Sequence, residues 1–161
     1  MASALQNLSE MKGIVPSGEG KRFVVIVSEW NDEVTSKLLE GTLAGLKQNS
    51  VTGKHVLVET VPGCFELPFA ALRMAEVHKP DAVICLGCVI RGETPHFDYV
   101  CQAATQGVLQ AELTAKIPMI FGVLTVDSLE QALERSGGKY GNKGVEAAVA
   151  ALKMTKYKTI K

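Results

Sequence analysis

At 161 residues, with 47% apolar and 21% charged side chains, the chain suffices for one domain with a full core, not for two, and is too apolar for disorder. Seventeen basic residues balance seventeen acidic ones and the pI is near 6.8, so nucleic-acid backbones and anionic membrane surfaces find no positive field to bind. A net charge of zero favours association into an oligomer, and no stretch reaches the roughly 18 apolar residues of a membrane span.

The opening "MASALQNLSEMKG" lacks a charged n-region followed by an apolar block, so no signal peptide is expected. Residues 1–20 hold Ser9, Gly13, Pro16, Ser17, Gly18 and Gly20, and only "GIV" (13–15) has strand character. They read as an arm or a lone strand, leaving residues 21–161 as a single domain. "RFVVIVS" (22–28) is a continuous β-branched run, the mark of a strand buried on both faces. Similar runs follow at "HVLVETV" (55–61), "AVICLG" (82–87) and "IPMIFGVLT" (117–125).

Helical patterns fill the gaps. After Asn31, the residues Val34, Leu38, Leu39, Leu43 and Leu46 fall close to a 3.6-residue period. "ELPFAALRMAEVHK" (66–79) is helical and ends before Pro80. "FDYVCQAATQGVLQAELTAK" (97–116) is a long helix, "SLEQALERSG" (128–137) a short one closed by Gly137 and Gly138, and "NKGVEAAVAALKMTKYK" (142–158) the last. Strands alternating with helices imply an α/β fold. The expected form is a three-layer αβα sandwich around a four-stranded parallel sheet, flavodoxin-like in its alternation.

Ligands of such sheets bind beyond the carboxyl ends of the strands, which selects the loops "SEWN", "VPGCFELP", "GCVIRGETPH" and "TVDS". Trp30, the single tryptophan, reads either as a half-buried anchor or as a flat surface for a planar ring. Asn31 stands where a helix cap belongs. Glu66 opens a helix, where a carboxylate complements the dipole or accepts hydrogen bonds from a polyol, and backbone N–H groups at 64–66 add donors. His96 reads as a surface residue or as an imidazole able to move protons in both directions near neutrality. Gly92, Glu93 and Thr94 offer a turn whose amides could hold an anion, with the Glu93 side chain pointing away.

Arg135 falls in the last turn of the short helix, where a cation suits the dipole, and Lys143 reads equally as a surface lysine. "SGGKYGNKG" lacks Gly-Lys-Ser/Thr and follows a helix, so it is no phosphate loop. Cys85 and Cys88 have C-x-x-C spacing, but the first lies inside a strand and no helix follows the second, unlike a redox motif. A zinc site from both cysteines and His96 lacks a fourth ligand, so no metal is expected. Cys64, Cys85, Cys88 and Cys101 should stay reduced, which suits the cytoplasm.

The blocks "SEWN", "VPGCFELP", "LGCVIRGETPHFDYVC", "IFGVLT" and "ERSGGKYGNKG" carry a resemblance from about residue 21 to 155. In that order and spacing the chain resembles the 6,7-dimethyl-8-ribityllumazine synthase family, the penultimate enzymes of riboflavin biosynthesis. The resemblance implies condensation of 5-amino-6-(D-ribitylamino)uracil with 3,4-dihydroxy-2-butanone 4-phosphate, a transferase reaction releasing phosphate and water with no cofactor. It places Trp30 and Phe121 at the uracil ring and counts Asn31 among the substrate-binding residues. Cys64, Phe65 and Glu66 fall at the ribityl chain, and the backbone of Cys88, Val89 and Ile90 at the pyrimidine. Glu93, Thr94, Arg135 and Lys143 fall around the phosphate, and His96 at the proton transfers. Cys64 departs from the family's usual Ala or Ser, with little effect expected because the contact is mainly backbone.

The family also implies pentamers whose sites lie between neighbours, with Phe121 and Arg135 reaching in from the adjacent subunit. The arm would add a strand to the neighbour's sheet. Sixty-subunit shells and riboflavin synthase are further partners it implies. The short "GGKYGNKG" joint favours the shell, whereas Pro16 in the arm argues against it. Two rival readings are a flavodoxin-type flavin-binding electron-transfer domain and a purely structural shell protein. The first lacks a Ser/Thr-rich phosphate loop at "SEWND", and the second leaves Trp30, Glu66, His96 and Arg135 without purpose.

Overall fold

A run of β-branched residues with no polar alternation has to be covered on both sides, and Phe23–Ser28 (β1) is buried along its whole length inside a parallel sheet. The computed structural model describes residues 13–158. β2 (Val56–Val61), β3 (Ala82–Ile90) and β4 (Met119–Val126) complete the sheet in the order β2-β1-β3-β4, every pairing parallel. Five helices follow the strands: α1 (Asp32–Gln48), α2 (Leu67–His78), α3 (His96–Ala115), α4 (Leu129–Glu134) and α5 (Lys143–Lys158). A small antiparallel hairpin, β5 (Ser136–Gly138) with β6 (Gly141–Asn142), links the last two.

Alternate strand residues point to opposite faces and so build two cores. Phe23, Val25, Val27, Ile84 and Leu86 pack with Val34, Leu38 and Leu46 of α1 and with Ala147, Ala148 and Ala151 of α5. On the other face Val24, Ile26, Val83, Cys85 and Val123 pack with Leu67, Ala71 and Ala75 of α2 and with Ala104, Val108 and Ala111 of α3. Each buried Val, Leu or Ile contributes about 1.5–3 kcal/mol. Small residues let α1 and α5 approach closely: a Cβ on Gly45 would stand 2.9 Å from that of Ala148, and one on Gly144 would collide with the Leu38 carbonyl. The expected three-layer αβα sandwich on a four-stranded parallel sheet is therefore the observed architecture.

Several local expectations differ. β2 is not buried on both faces; as an edge strand it leaves Glu59 and Thr60 exposed and Val58 at 37% exposure. β3 does not stop at Gly87 but runs three residues further, since β4 continues to pair with it through Ile90–Val126. Leu43 lies off the buried stripe of α1. α4 ends at Glu134 rather than at Gly137 and Gly138, which belong to the hairpin strand β5. Residues 13–15 form no strand in the isolated chain, and Ile14 is 94% exposed. The rest of the arm, residues 1–12, lies outside the described residues, as do 159–161. Among the described residues no helix is long and apolar enough to cross a membrane.

Candidate active site

Parallel strands deliver their carboxyl ends to one edge of the sheet, and α2 and α3 begin at that edge. The loop after β1 is tied to the loop after β2 by Glu29 N–H to the Val61 carbonyl (2.8 Å) and Trp30 N–H to the Pro62 carbonyl (3.2 Å). Trp30 itself is 73% exposed, so it is not the half-buried anchor of one reading. Asn31 occupies the N-cap position of α1, and its carbonyl accepts from the N–H groups of Val34 and Thr35. Its side chain does not cap, contrary to expectation. The residue is left-handed (φ 63°), and its amide nitrogen instead donates to the Cys88 carbonyl at 2.9 Å.

The loop after β2 turns at Cys64, whose side chain points inward and is 5% exposed. Its thiol donates to the Ser28 hydroxyl at 3.7 Å, and a Cβ on Gly87 would stand 2.5 Å from its sulfur. Burial pushes the Cys64 thiol up, and with that side chain turned inward it is the backbone of Cys64 that remains to face a ligand. Phe65 is 63% exposed. The Glu66 N–H is taken by the Gly63 carbonyl (3.3 Å), so the donors left at this turn are those of Cys64 and Phe65 rather than all three. The exposed Glu66 carboxylate makes no capping bond, and one of its oxygens would meet a Cβ on Gly63 at 3.2 Å.

Cys88, Val89 and Ile90 belong to β3 and not to the loop beyond it. They pair with Leu124, Thr125 and Val126 on one side, while the ladder with β1 ends at Val27–Leu86, leaving the other backbone edge beside Asn31. Cys85 and Cys88 lie in opposite cores, so their C-x-x-C spacing places the thiols on opposite faces of the strand. Burial raises both to about 12. Among the described residues no three His, Cys, Asp or Glu side chains gather as metal ligands.

Beyond β3, Gly92, Glu93 and Thr94 form an exposed turn leading into the 20-residue α3, whose first residue is His96. The N–H groups of Gly92, Glu93, Thr94, His96 and Phe97 donate to no acceptor among the described residues. Unclaimed donors at a helix start make an anion-accepting surface. His96 is exposed, and Glu93 makes no ion pair among the described residues. Arg91, to which the sequence assigns no role, binds Asp98 and Asp127 and covers the ring of Phe97.

Phe121, Arg135 and Lys143 are not brought to this surface by their own chain. Phe121 pairs with Cys85, three registers before Cys88–Leu124, which is roughly 10 Å along the strand. Arg135 is the C-cap of α4; its guanidinium donates to the Gln131 carbonyl (3.0 Å) and lies 4.9 Å from the Tyr140 ring centre. Lys143 opens α5 and pairs with Glu146 at 3.0 Å, and its N–H donates to the Arg135 carbonyl. These two cations sit together on the α1/α5 side, whereas Glu66 and His96 begin the helices of the opposite layer.

Residues 20–159 match the family model described as 6,7-dimethyl-8-ribityllumazine synthase. Among curated relatives, the protein of that name from Parabacteroides distasonis is 51% identical over 158 residues, covering 98% of this chain and 99% of the relative. The one from Phocaeicola vulgatus is 48% identical over 159 residues (98% and 95%), and that from Porphyromonas gingivalis 50% over 155 (96% of each). Nothing among them supports the flavodoxin-type electron-transfer reading. The chain belongs to the 6,7-dimethyl-8-ribityllumazine synthase family.

Proposed function

We infer that the chain is an enzyme that joins 5-amino-6-(D-ribitylamino)uracil to 3,4-dihydroxy-2-butanone 4-phosphate, forming 6,7-dimethyl-8-ribityllumazine and releasing phosphate and water. The observation that carries this is the match to the synthase family along residues 20–159, with near-complete coverage of relatives at about half identity. The open strand-end surface suits one flat pyrimidine and one small phosphorylated ketone. The exposed Trp30 offers a stacking face, the uncapped Glu66 carboxylate takes ribityl hydroxyls, and the β3 edge at Cys88–Ile90 takes the pyrimidine. The unclaimed amides around Glu93 and Thr94 take the phosphate.

In this reading the substrate amine attacks the ketone, so no side chain has to act as nucleophile. One water leaves the carbinolamine, phosphate is eliminated, and ring closure onto the remaining carbonyl expels a second water; each step moves a proton that His96 can carry near neutrality. Arg135 and Lys143 supply the cations that a departing phosphate requires. Holding two substrates in register accounts for much of the acceleration, since orientation can be worth roughly 7–11 kcal/mol.

The site is then a seam. Phe121, Arg135 and Lys143 lie away from Trp30, Glu66 and His96 within one chain, and a neighbour would deliver them. Residues 1–20 act as an arm on the domain 21–161, and the arm pairs with the neighbour's β2, whose outer edge has no strand partner among the described residues. Exposed Ile14, and a groove of about 790 Å³ lined by Leu43, Leu46, Val51, Val56 and Val58, support that seating. Phe69 and Val77 on α2 and Leu109 and Leu113 on α3 are likewise exposed apolar side chains that a pentamer would cover. The sixty-subunit shell, a cytoplasmic location and docking of riboflavin synthase complete the reading. Mixing the purified protein with both substrates tests it: lumazine fluorescence should appear with stoichiometric phosphate, and its absence would overturn the assignment.

A further inference from the structure

Arg91 has no task in the chemistry above, yet it is the most heavily engaged side chain of the strand-end surface. Its backbone N–H donates to the Val126 carbonyl at 2.9 Å, extending the β3–β4 ladder by one residue. Its Nε–H donates to Asp127 Oδ1 at 3.0 Å, and its terminal nitrogens approach the two oxygens of Asp98 at 3.2 and 3.5 Å. The guanidinium carbon lies 4.1 Å from the centre of the Phe97 ring. One planar fork thus fastens three pieces of chain: the exit of β3, the first turn of α3 and the loop after β4.

An isolated exposed ion pair contributes little, but this fork closes a loop instead of bracing a helix face. Between its anchors lie Gly92, Glu93, Thr94, Pro95 and His96. Pro95 has no N–H, and the N–H groups of the other four find no acceptor among the described residues, so the turn has little internal bracing of its own. Donors that are to converge on an anion need their ends held at a fixed separation. Two carboxylates already surround the Arg91 cation, which leaves it poorly placed to take a phosphate itself.

We propose that Arg91 is a positioning residue for the phosphorylated substrate: by gripping Asp98 and Asp127 it holds the 92–96 turn where its amides and the His96 imidazole meet that substrate. The proposal rests on the synthase reading above. It is tested by steady-state kinetics on Arg91→Ala, Arg91→Lys and Asp98→Asn, with inorganic phosphate binding to the same proteins measured by calorimetry. Arg91→Ala should raise KM for the four-carbon phosphate on the order of tenfold while leaving KM for the ribityl pyrimidine unchanged. Arg91→Lys, which keeps the charge but cannot bridge both carboxylates, should shift the same constant in the same direction, and it provides the reading if the alanine variant fails to fold.

Asp98→Asn separates positioning from direct contact. Loosening the turn should weaken phosphate binding, whereas a guanidinium that touched phosphate itself would be freed to bind it more tightly. Tighter binding, unchanged constants, or an equal rise in both KM values would overturn the proposal. Absence of turnover in the unaltered protein would instead sink the synthase reading, and the calorimetric comparison would still decide the role of Arg91.

Discussion

Asn31 on the loop after β1 and Cys88 on β3 are joined by a 2.9 Å hydrogen bond from the side-chain amide to the main-chain carbonyl. The bond crosses between neighbouring strand ends, and Asn31 makes it from a left-handed backbone (φ 63°) that most side chains resist. Asn31→Ala therefore loses the bond and strains the backbone, and denaturant unfolding should show a loss of about 2 kcal/mol. Asn31→Gly keeps the backbone at ease and should cost less. Equal losses in the two variants would mean that backbone conformation plays no part.

Gly87 gives way to the Cys64 sulfur. A Cβ there would meet it at 2.5 Å and the Ser28 hydroxyl at 3.0 Å, so Gly87→Ala should destabilise by about 1–3 kcal/mol through overpacking. Adding Cys64→Ala removes the colliding atom and should recover part of the loss, a coupling that a double-mutant cycle measures. Strict additivity would show that the thiol is not the obstacle.

The buried thiols make stability depend on alkaline pH. Burial raises Cys85 and Cys88 from an ordinary 9.0 to about 12 in the folded chain. Between those values the unfolded chain has lost protons that the folded chain retains, so stability should be full below about pH 9 and fall as pH rises towards 12. Thermal unfolding from pH 7 to 11 checks this, and Cys88→Ala should flatten the decline. Alkylation at pH 8 should label the half-exposed Cys101 first.

The proposed roles rank two variants. His96→Ala should slow turnover only modestly, at or below the low end of the roughly 10²–10⁴-fold typical of a general acid–base, because water can carry protons at an open site. Arg135→Ala should be worse, since the phosphate loses its partner. Near-normal steady-state rates for Arg135→Ala would count against its assignment.

The sheet and its helices were legible because burial on two faces demands runs such as Phe23–Ser28, and amphipathic spacing follows from burial on one. What escaped was set by contacts distant in sequence. Gly87 reads as a strand end, but its missing side chain makes room for Cys64, 23 positions away, and the strand continues. Asn31 reads as a cap until the carbonyl of Cys88 comes within reach. β2 resembles a central strand in hydropathy, and only Glu59 and Thr60 betray an edge. Arg91 gains its meaning from Asp98 and Asp127, which no local pattern joins to it.

A seam between copies can be tested by mixing two crippled chains. If the proposed seam holds, Trp30→Ala spoils the strand-end half of the site and Arg135→Ala the half offered to a neighbour, and each should be weakly active by itself. Unfolded together in equal amounts and refolded, they should recover activity well above either parent, because in about a quarter of the contacts both unaltered halves meet. Activity no greater than the average of the two parents would contradict a shared site and place all the chemistry within one chain.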